Sequence, residues 1–174
     1  GIIEKYKELK TFLEENNIKF KSETDSEIIC NLISYYYKNN DIKESINLAL
    51  SDLQGTWSIV IMCIDDLNKM YCTRRGSPLL IAKKDNYAMV TSEISGFCNK
   101  VDNYIVLDND DVCEIEKDSN NLIKINTLNK NYIDKKIKIN NNELTPYPYK
   151  YWSLKEINEQ IDSSLRAVSL GGRL

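Results

Sequence analysis

Apolar residues in this chain recur every three or four positions as far as Gly55, and every second position or in short unbroken runs beyond it. Such a switch in period calls for a fold that sets helices against strands. Ahead of it, Ile2, Ile3, Tyr6, Leu9, Phe12 and Leu13 predict a first helix stopped by Asn16-Asn17. Thr24 and Glu27 have capping-box spacing and open a second helix, carried by Ile28, Ile29, Leu32, Ile33 and Tyr36. Asp41 with Glu44 repeats the start signal for a third, whose stripe is Ile42, Ile46, Ala49, Leu50 and Leu53 and which Gly55 ends.

After the switch, Trp57 to Ile64 is apolar on both alternating faces, which predicts a strand covered on both sides and central in its sheet. Asp65-Asp66, Gly76-Ser77-Pro78 and Asp85-Asn86 then read as turns leading into Met70–Thr73, Leu79–Ala82 and Tyr87–Thr91. Connections this short predict antiparallel neighbours. Tyr104–Leu107, Val112–Glu116 and Leu122–Asn126 continue the meander. Past Pro146 and Pro148, the pair Ser153 and Glu156 predicts the start of a last helix carried by Leu154, Ile157, Ile161 and Leu165. The reading is one α+β domain over residues 1–170, with Gly171-Gly172 as the start of a linker through 174.

Composition removes whole classes of function. No histidine is present, which excludes Ser-His-Asp and Cys-His catalysis and imidazole zinc sites. The 23 basic and 26 acidic residues are spread evenly, so no basic patch invites nucleic acid. No apolar run reaches membrane-spanning length and no leader signal opens the chain, which predicts a soluble cytoplasmic protein with no membrane partner. The five cysteines, Cys30, Cys63, Cys72, Cys98 and Cys113, stand singly and read as reduced core residues.

Few motifs carry chemistry. Neither glycine-rich phosphate loop occurs. Arg74-Arg75-Gly76-Ser77-Pro78 could form an anion site from two guanidiniums and turn amides, but composition favours a hairpin with solvated arginines. The acidic runs Asp65-Asp66 and Asp108 to Asp111 lack calcium-loop spacing and read as turns, so no metal and no cofactor is expected. Glu23-Thr24-Asp25 can be read two ways: carboxylates at a helix start can hold a ligand's ammonium group, or simply complement the helix dipole.

The residues also carry a family likeness. Gly1-Ile2-Ile3-Glu4 followed by Ser22-Glu23-Thr24-Asp25-Ser26-Glu27 resembles the N-G-I-I-E-N... S-E-T-D-T-E signature of glucosamine-6-phosphate synthases, the glutamine:fructose-6-phosphate aminotransferases. Leu53-Gln54-Gly55, Arg75-Gly76-Ser77-Pro78-Leu79 and Thr91-Ser92-Glu93 resemble further family landmarks in the same order. Lys155-Glu156-Ile157-Asn158-Glu159-Gln160 is similar to the segment that closes the family's glutaminase domain.

The resemblance implies the back two-thirds of a class II glutaminase domain, with an N-terminal-nucleophile fold: a four-layer αββα sandwich of antiparallel sheets, here incomplete at its amino end. In the family a leading cysteine attacks the side-chain amide of glutamine, a thioester forms and ammonia is released to a sugar-phosphate isomerase domain of the same polypeptide. By position, Gly1 matches the glycine whose backbone N–H helps hold the oxyanion, and Asp25 the aspartate that binds the α-amino group of L-glutamine. The nucleophilic cysteine has no counterpart here, so these residues alone are expected to be inactive, with unpaired sheet edges. The intact enzyme is expected to be a homo-oligomer. Two rival readings stay open: a non-catalytic glutamine-binding or interaction module of the same fold, and another class II amidotransferase.

Overall fold

The structure, a computed structural model, describes residues 2–127, 132–137 and 145–171. The chain forms two compact units, Gly1–Ile137 and Lys138–Leu174. In the first, β1 (Ile2–Glu4), α1 (Tyr6–Glu15), α2 (Asp25–Tyr37) and α3 (Ile42–Asp52) precede β2 (Gln54–Cys63) and β3 (Asp66–Arg75). There follow β4 (Leu80–Lys83), β5 (Ala88–Thr91), a short 3-10 turn at Ile94–Phe97, β6 (Asn103–Val106), β7 (Val112–Lys117), β8 (Ile123–Asn126) and β9 (Lys135–Lys136).

Two antiparallel sheets result, one in the order β1-β2-β3-β7-β8 and the other β5-β4-β6-β9. Period-two alternation sorts the side chains. Trp57, Tyr71 and Val112 face the helices, where they meet Leu13, Leu32, Ile46 and Leu50 in a buried cluster. Cys72, Cys113 and Ile115 point the other way and meet Leu79, Ile81 and Leu107 between the sheets. Beyond the second sheet, Leu80, Ala82 and Tyr104 pack with Phe97 and Val101. Each fully buried Leu, Ile or Phe of this kind contributes roughly 1.5–3 kcal/mol, so the layers hold by burial on every strand face that is covered.

Several sequence expectations change here. Ile2 and Ile3 lie in a strand, because Lys5 takes a left-handed φ of 58° that breaks the spacing before α1 begins. Gly55 is a strand residue and not a helix stop: with φ at 121°, it pairs with Ile3, and a Cβ there would sit 2.1 Å from the Ile2 carbonyl oxygen. Asp41 caps α3 as expected, its Oδ1 accepting from the Glu44 N–H at 2.9 Å. On α2 the side chain of Thr24 makes no cap bond.

β2 lies inside its sheet, between β1 and β3, but it is not covered on both sides and is paired along only part of one edge. Only Gln54–Thr56 pairs with β1, and among the described residues nothing pairs with that edge from Trp57 onward. Its helix side is covered, whereas Val60, Met62 and Ile64 on the other side are 46%, 64% and 85% exposed, because the second sheet does not extend beneath them. β4 is the strand buried on both faces, flanked by β5 and β6.

Gly76-Ser77-Pro78 is likewise not a hairpin: it carries the chain from β3 in one sheet to β4 in the other. Its arginines are partly exposed, as expected, but they are also held by protein groups. Asn109 Oδ1 accepts from Arg74 Nη2 at 2.7 Å and from the Gly76 N–H at 3.1 Å. Arg75 pairs with Asp110, donates to the Leu53 carbonyl at 2.9 Å and lies 4.2 Å from the Trp57 ring centre. Both guanidiniums are engaged by protein groups, which leaves the anion-site reading without support.

In the second unit the Tyr149 N–H donates to the Pro146 carbonyl at 2.8 Å ahead of α4 (Trp152–Gly171). Helix α4 starts at Trp152, so Ser153 lies inside it and is not its cap. The buried Lys155 ammonium donates to the Thr145 carbonyl at 3.0 Å and lies 5.1 Å from the Trp152 ring centre. Of the linker expected at 171–174, Gly171 closes α4 and the rest lies outside the described residues. No helix among the described residues is long and apolar enough to cross a membrane.

Candidate glutamine site

Asp25 opens α2, half-buried, in the first turn, where the helix dipole favours a carboxylate. Its side chain is not used on its own helix. Asp25 Oδ2 accepts from the Ile3 N–H at 2.9 Å, across 22 residues of sequence. Since Ile3 is registered opposite Gly55, three segments converge: β1, the start of α2, and the glycine of β2 that permits close approach. Gly1, the other residue singled out by the sequence, lies outside the described residues.

The loop ahead of Asp25 is held from the far side by Glu27. Its carboxylate accepts from the Lys21 N–H at 2.7 Å, the Ser22 N–H at 2.7 Å and the Ser22 hydroxyl at 2.5 Å. The Ser22 hydroxyl, followed by the Lys21 amide, holds the Glu27 carboxyl below its ordinary range. Any support this gives the fold is present above the ordinary Glu pKa and lost as pH falls through the depressed value. The capping-box spacing of Thr24 and Glu27 thus marks the right residues but a different bond pattern: Glu27 reaches past Thr24 to the two amides before it.

Next to this junction, a cleft of about 650 Å³ runs between α2 and the bare edge of β2, lined among others by Ser26, Ile29, Ile33, Tyr37, Ile59 and Ile61. Ser26 lines it and Asp25 does not.

Neither Cys72 nor Cys113 has the traits of an activated nucleophile. Burial pushes the Cys72 thiol up to about 12 and raises that of Cys113, its cross-strand partner, as well. A catalytic thiol needs the opposite shift. Cys30 and Cys98 are exposed, which corrects the expectation that all five cysteines are core residues. A thiol reagent such as DTNB is accordingly expected to label Cys30 and Cys98 rapidly in the native chain, and Cys63, Cys72 and Cys113 only on unfolding. Rapid labelling of Cys72 or Cys113 would contradict the packing between the sheets.

A family profile described as the glutamine amidotransferase domain matches residues 1–99. The chain belongs to this family. Among its relatives in this glutamine amidotransferase family are the glutamine–fructose-6-phosphate aminotransferase (isomerizing) of Clostridium perfringens, 32% identical over 92% of this chain, and the probable enzyme of the same name from Acanthamoeba polyphaga mimivirus, also 32% identical over 92%. The chain spans about a quarter of the length of these curated relatives, 26% in each case. A solved structure, the glutamine phosphoribosylpyrophosphate amidotransferase of B. subtilis complexed with ADP and GMP, superposes with a TM-score of 0.55 at 22% identity, covering 72% of this chain and 27% of that one. That likeness bears out the α+β amidotransferase fold with its antiparallel sheets. The residues beside Asp25 to which the sequence assigns no role are Ile3 and Glu27; both stand inside the signature motifs, and Glu27 also has capping spacing from Thr24.

Proposed function

We propose that this chain is the glutamine-handling part of a glutamine:fructose-6-phosphate aminotransferase, in which glutamine is hydrolysed to supply ammonia for glucosamine 6-phosphate synthesis. Two glutamine–fructose-6-phosphate aminotransferases align with 92% of its length, and motifs resembling the family's landmarks follow one another in order along its sequence. The observation that carries the reading to a residue is the carboxylate of Asp25, turned away from its own helix and held by the Ile3 N–H at 2.9 Å. In this reading Asp25 receives the α-ammonium of L-glutamine through charge-assisted hydrogen bonds. Gly1 contributes its backbone N–H to the oxyanion of the tetrahedral intermediate, where such a donor is commonly worth about 3 kcal/mol. The attacking thiol is not among the five cysteines of these residues. The isomerase domain of the same polypeptide receives the ammonia, and the assembled enzyme is a homo-oligomer.

The reading is tested by titrating L-glutamine into the chain in a calorimeter, with Asp25→Ala beside it. Losing a charge-assisted bond of about 1.5–3 kcal/mol should weaken binding by about 10- to 150-fold. Equal heats from wild type and Asp25→Ala would remove Asp25 from the site, and no heat at millimolar glutamine would count against glutamine recognition by these residues.

A further inference from the structure

The functional reading concerns Asp25; the structure also indicates what aims it. We propose that Glu27 is a positioning residue for Asp25, clamping residues 21–24 so that the carboxylate two positions earlier meets the Ile3 N–H. The inference deepens the proposed glutamine site and rests on that reading for its functional meaning, though its geometry stands independently.

The argument begins with what the start of α2 lacks. Thr24 precedes the helix, yet its hydroxyl caps nothing, so no side chain at that position ties the entering chain to the first turn. Glu27 supplies the tie instead. Both of its carboxylate oxygens are engaged, Oε1 by the Lys21 N–H and Oε2 by the Ser22 N–H and hydroxyl, which leaves the group no rotation that keeps its partners. Charge-assisted bonds of this length are the strong kind. The Ser22 hydroxyl lies 3.0 Å from that of Thr24, which links the clamp to the residue directly before Asp25.

Asp25 is the next residue along, and it reaches out of the helix to a donor 22 positions away. A carboxylate in a first helical turn has unpaired amides of its own helix close by. If the loop swings, the side chain can fall back on those amides and release Ile3. Holding the loop keeps Asp25 at the strand. A role confined to stabilising α2 would make a different demand, since it would leave the Ile3 amide indifferent to Glu27.

Residue-resolved amide hydrogen exchange on the full chain separates the two. Glu27→Gln keeps the shape of the side chain but replaces one acceptor oxygen with an NH2 that faces backbone donors. It is expected to raise exchange at least tenfold at Lys21, at Ser22 and at Ile3, while the amides of Leu32, Ile33 and the middle of β3 keep their wild-type protection. Glu27→Asp, one methylene too short, is expected to behave in the same way. Asp25→Ala should raise exchange at Ile3 alone. Unchanged protection of Ile3 in Glu27→Gln, with Lys21 and Ser22 exposed, would overturn the proposal and leave Glu27 a loop clamp only. A rise spread over the middle of α2 and β3 would also overturn it, as general loss of structure. No glutamine is present in the experiment, so a failure of glutamine recognition and a failure of this inference are told apart.

Discussion

Gly55→Ala is expected to detach β1 from the sheet, at a cost of about 3 kcal/mol or more and a fall in melting temperature of roughly 10 °C. The reason is geometric twice over. The φ of 121° is one that an L side chain rarely adopts, and the added Cβ would overlap the Ile2 carbonyl oxygen at 2.1 Å and crowd the Glu4 amide nitrogen at 3.2 Å. A methyl on the backbone has no rotamer through which to escape, so the strands must separate. Ile3, 5% exposed and part of the helix-side core, then loses its place, and with it goes the N–H that holds Asp25. Thermal denaturation followed by circular dichroism measures the cost, and exchange at the Ile3 amide measures the loss of the junction. A variant that melted within two degrees of wild type would mean that β1 and β2 do not approach as described.

Trp57→Ala should be the most damaging single truncation in the core, with an expected loss of about 3–5 kcal/mol. Trp57 is 1% exposed, lies in the helix-side cluster and carries the Arg75 guanidinium 4.2 Å from its ring centre. Its removal opens a cavity between the sheet and the helices. It also strips Arg75 of a contact that desolvation strengthens, by about 1–2 kcal/mol. Trp57→Phe should cost far less. It keeps a ring under Arg75 and removes an indole N–H that is buried with no hydrogen-bond partner among the described residues, a group whose burial is itself unfavourable by about 1–3 kcal/mol. Urea denaturation decides: an alanine variant less than about 1 kcal/mol below wild type would show that the site collapses and that the cluster does not depend on the ring.

What the sequence discloses is the information that is local along the chain. The three helices, the individual strands and the Asp41 cap all appear, because period and capping chemistry act over a few residues, whereas the meander does not, since the chain changes sheets after β3 and again before β7. Asp25 is singled out as a candidate by its place in a motif. The misreadings share one cause, which is that a local pattern had two tertiary meanings. Ile2 and Ile3 continue the spacing of α1, and only Lys5's left-handed backbone assigns them to a strand. Gly55 ends a helical pattern whether it is a stop or a point of close approach, and its partner Ile2 is more than fifty residues away. Trp57 to Ile64 is apolar on both faces, yet alternation does not say whether anything lies on the second face. Arg75 and Asp110, 35 positions apart, each sit where a turn is expected, so their pairing could not be seen from either end. Glu27 was read as half of a capping box, and its reach to Lys21 and Ser22 depends on a loop conformation that spacing does not encode.

The passage of the chain from β3 into the other sheet, and its return at β7, also orders events in time. β3 pairs with β7, but β4, β5 and β6 are made between them. On a ribosome, which adds residues at about 5–20 per second, the edge of β3 therefore emerges well before the strand that covers it. During that interval β1, β2 and β3 form a partial sheet with the helices on one face and bare sheet on the other, stable only to the extent that the helix-side core supports it. Such long-range pairing folds slowly, on the millisecond-to-second scale of β-rich domains. Newly made chains are therefore most prone to stick to one another after Arg75 has emerged and before Val112 has, and a chaperone that shields strand edges would act on this domain in that window.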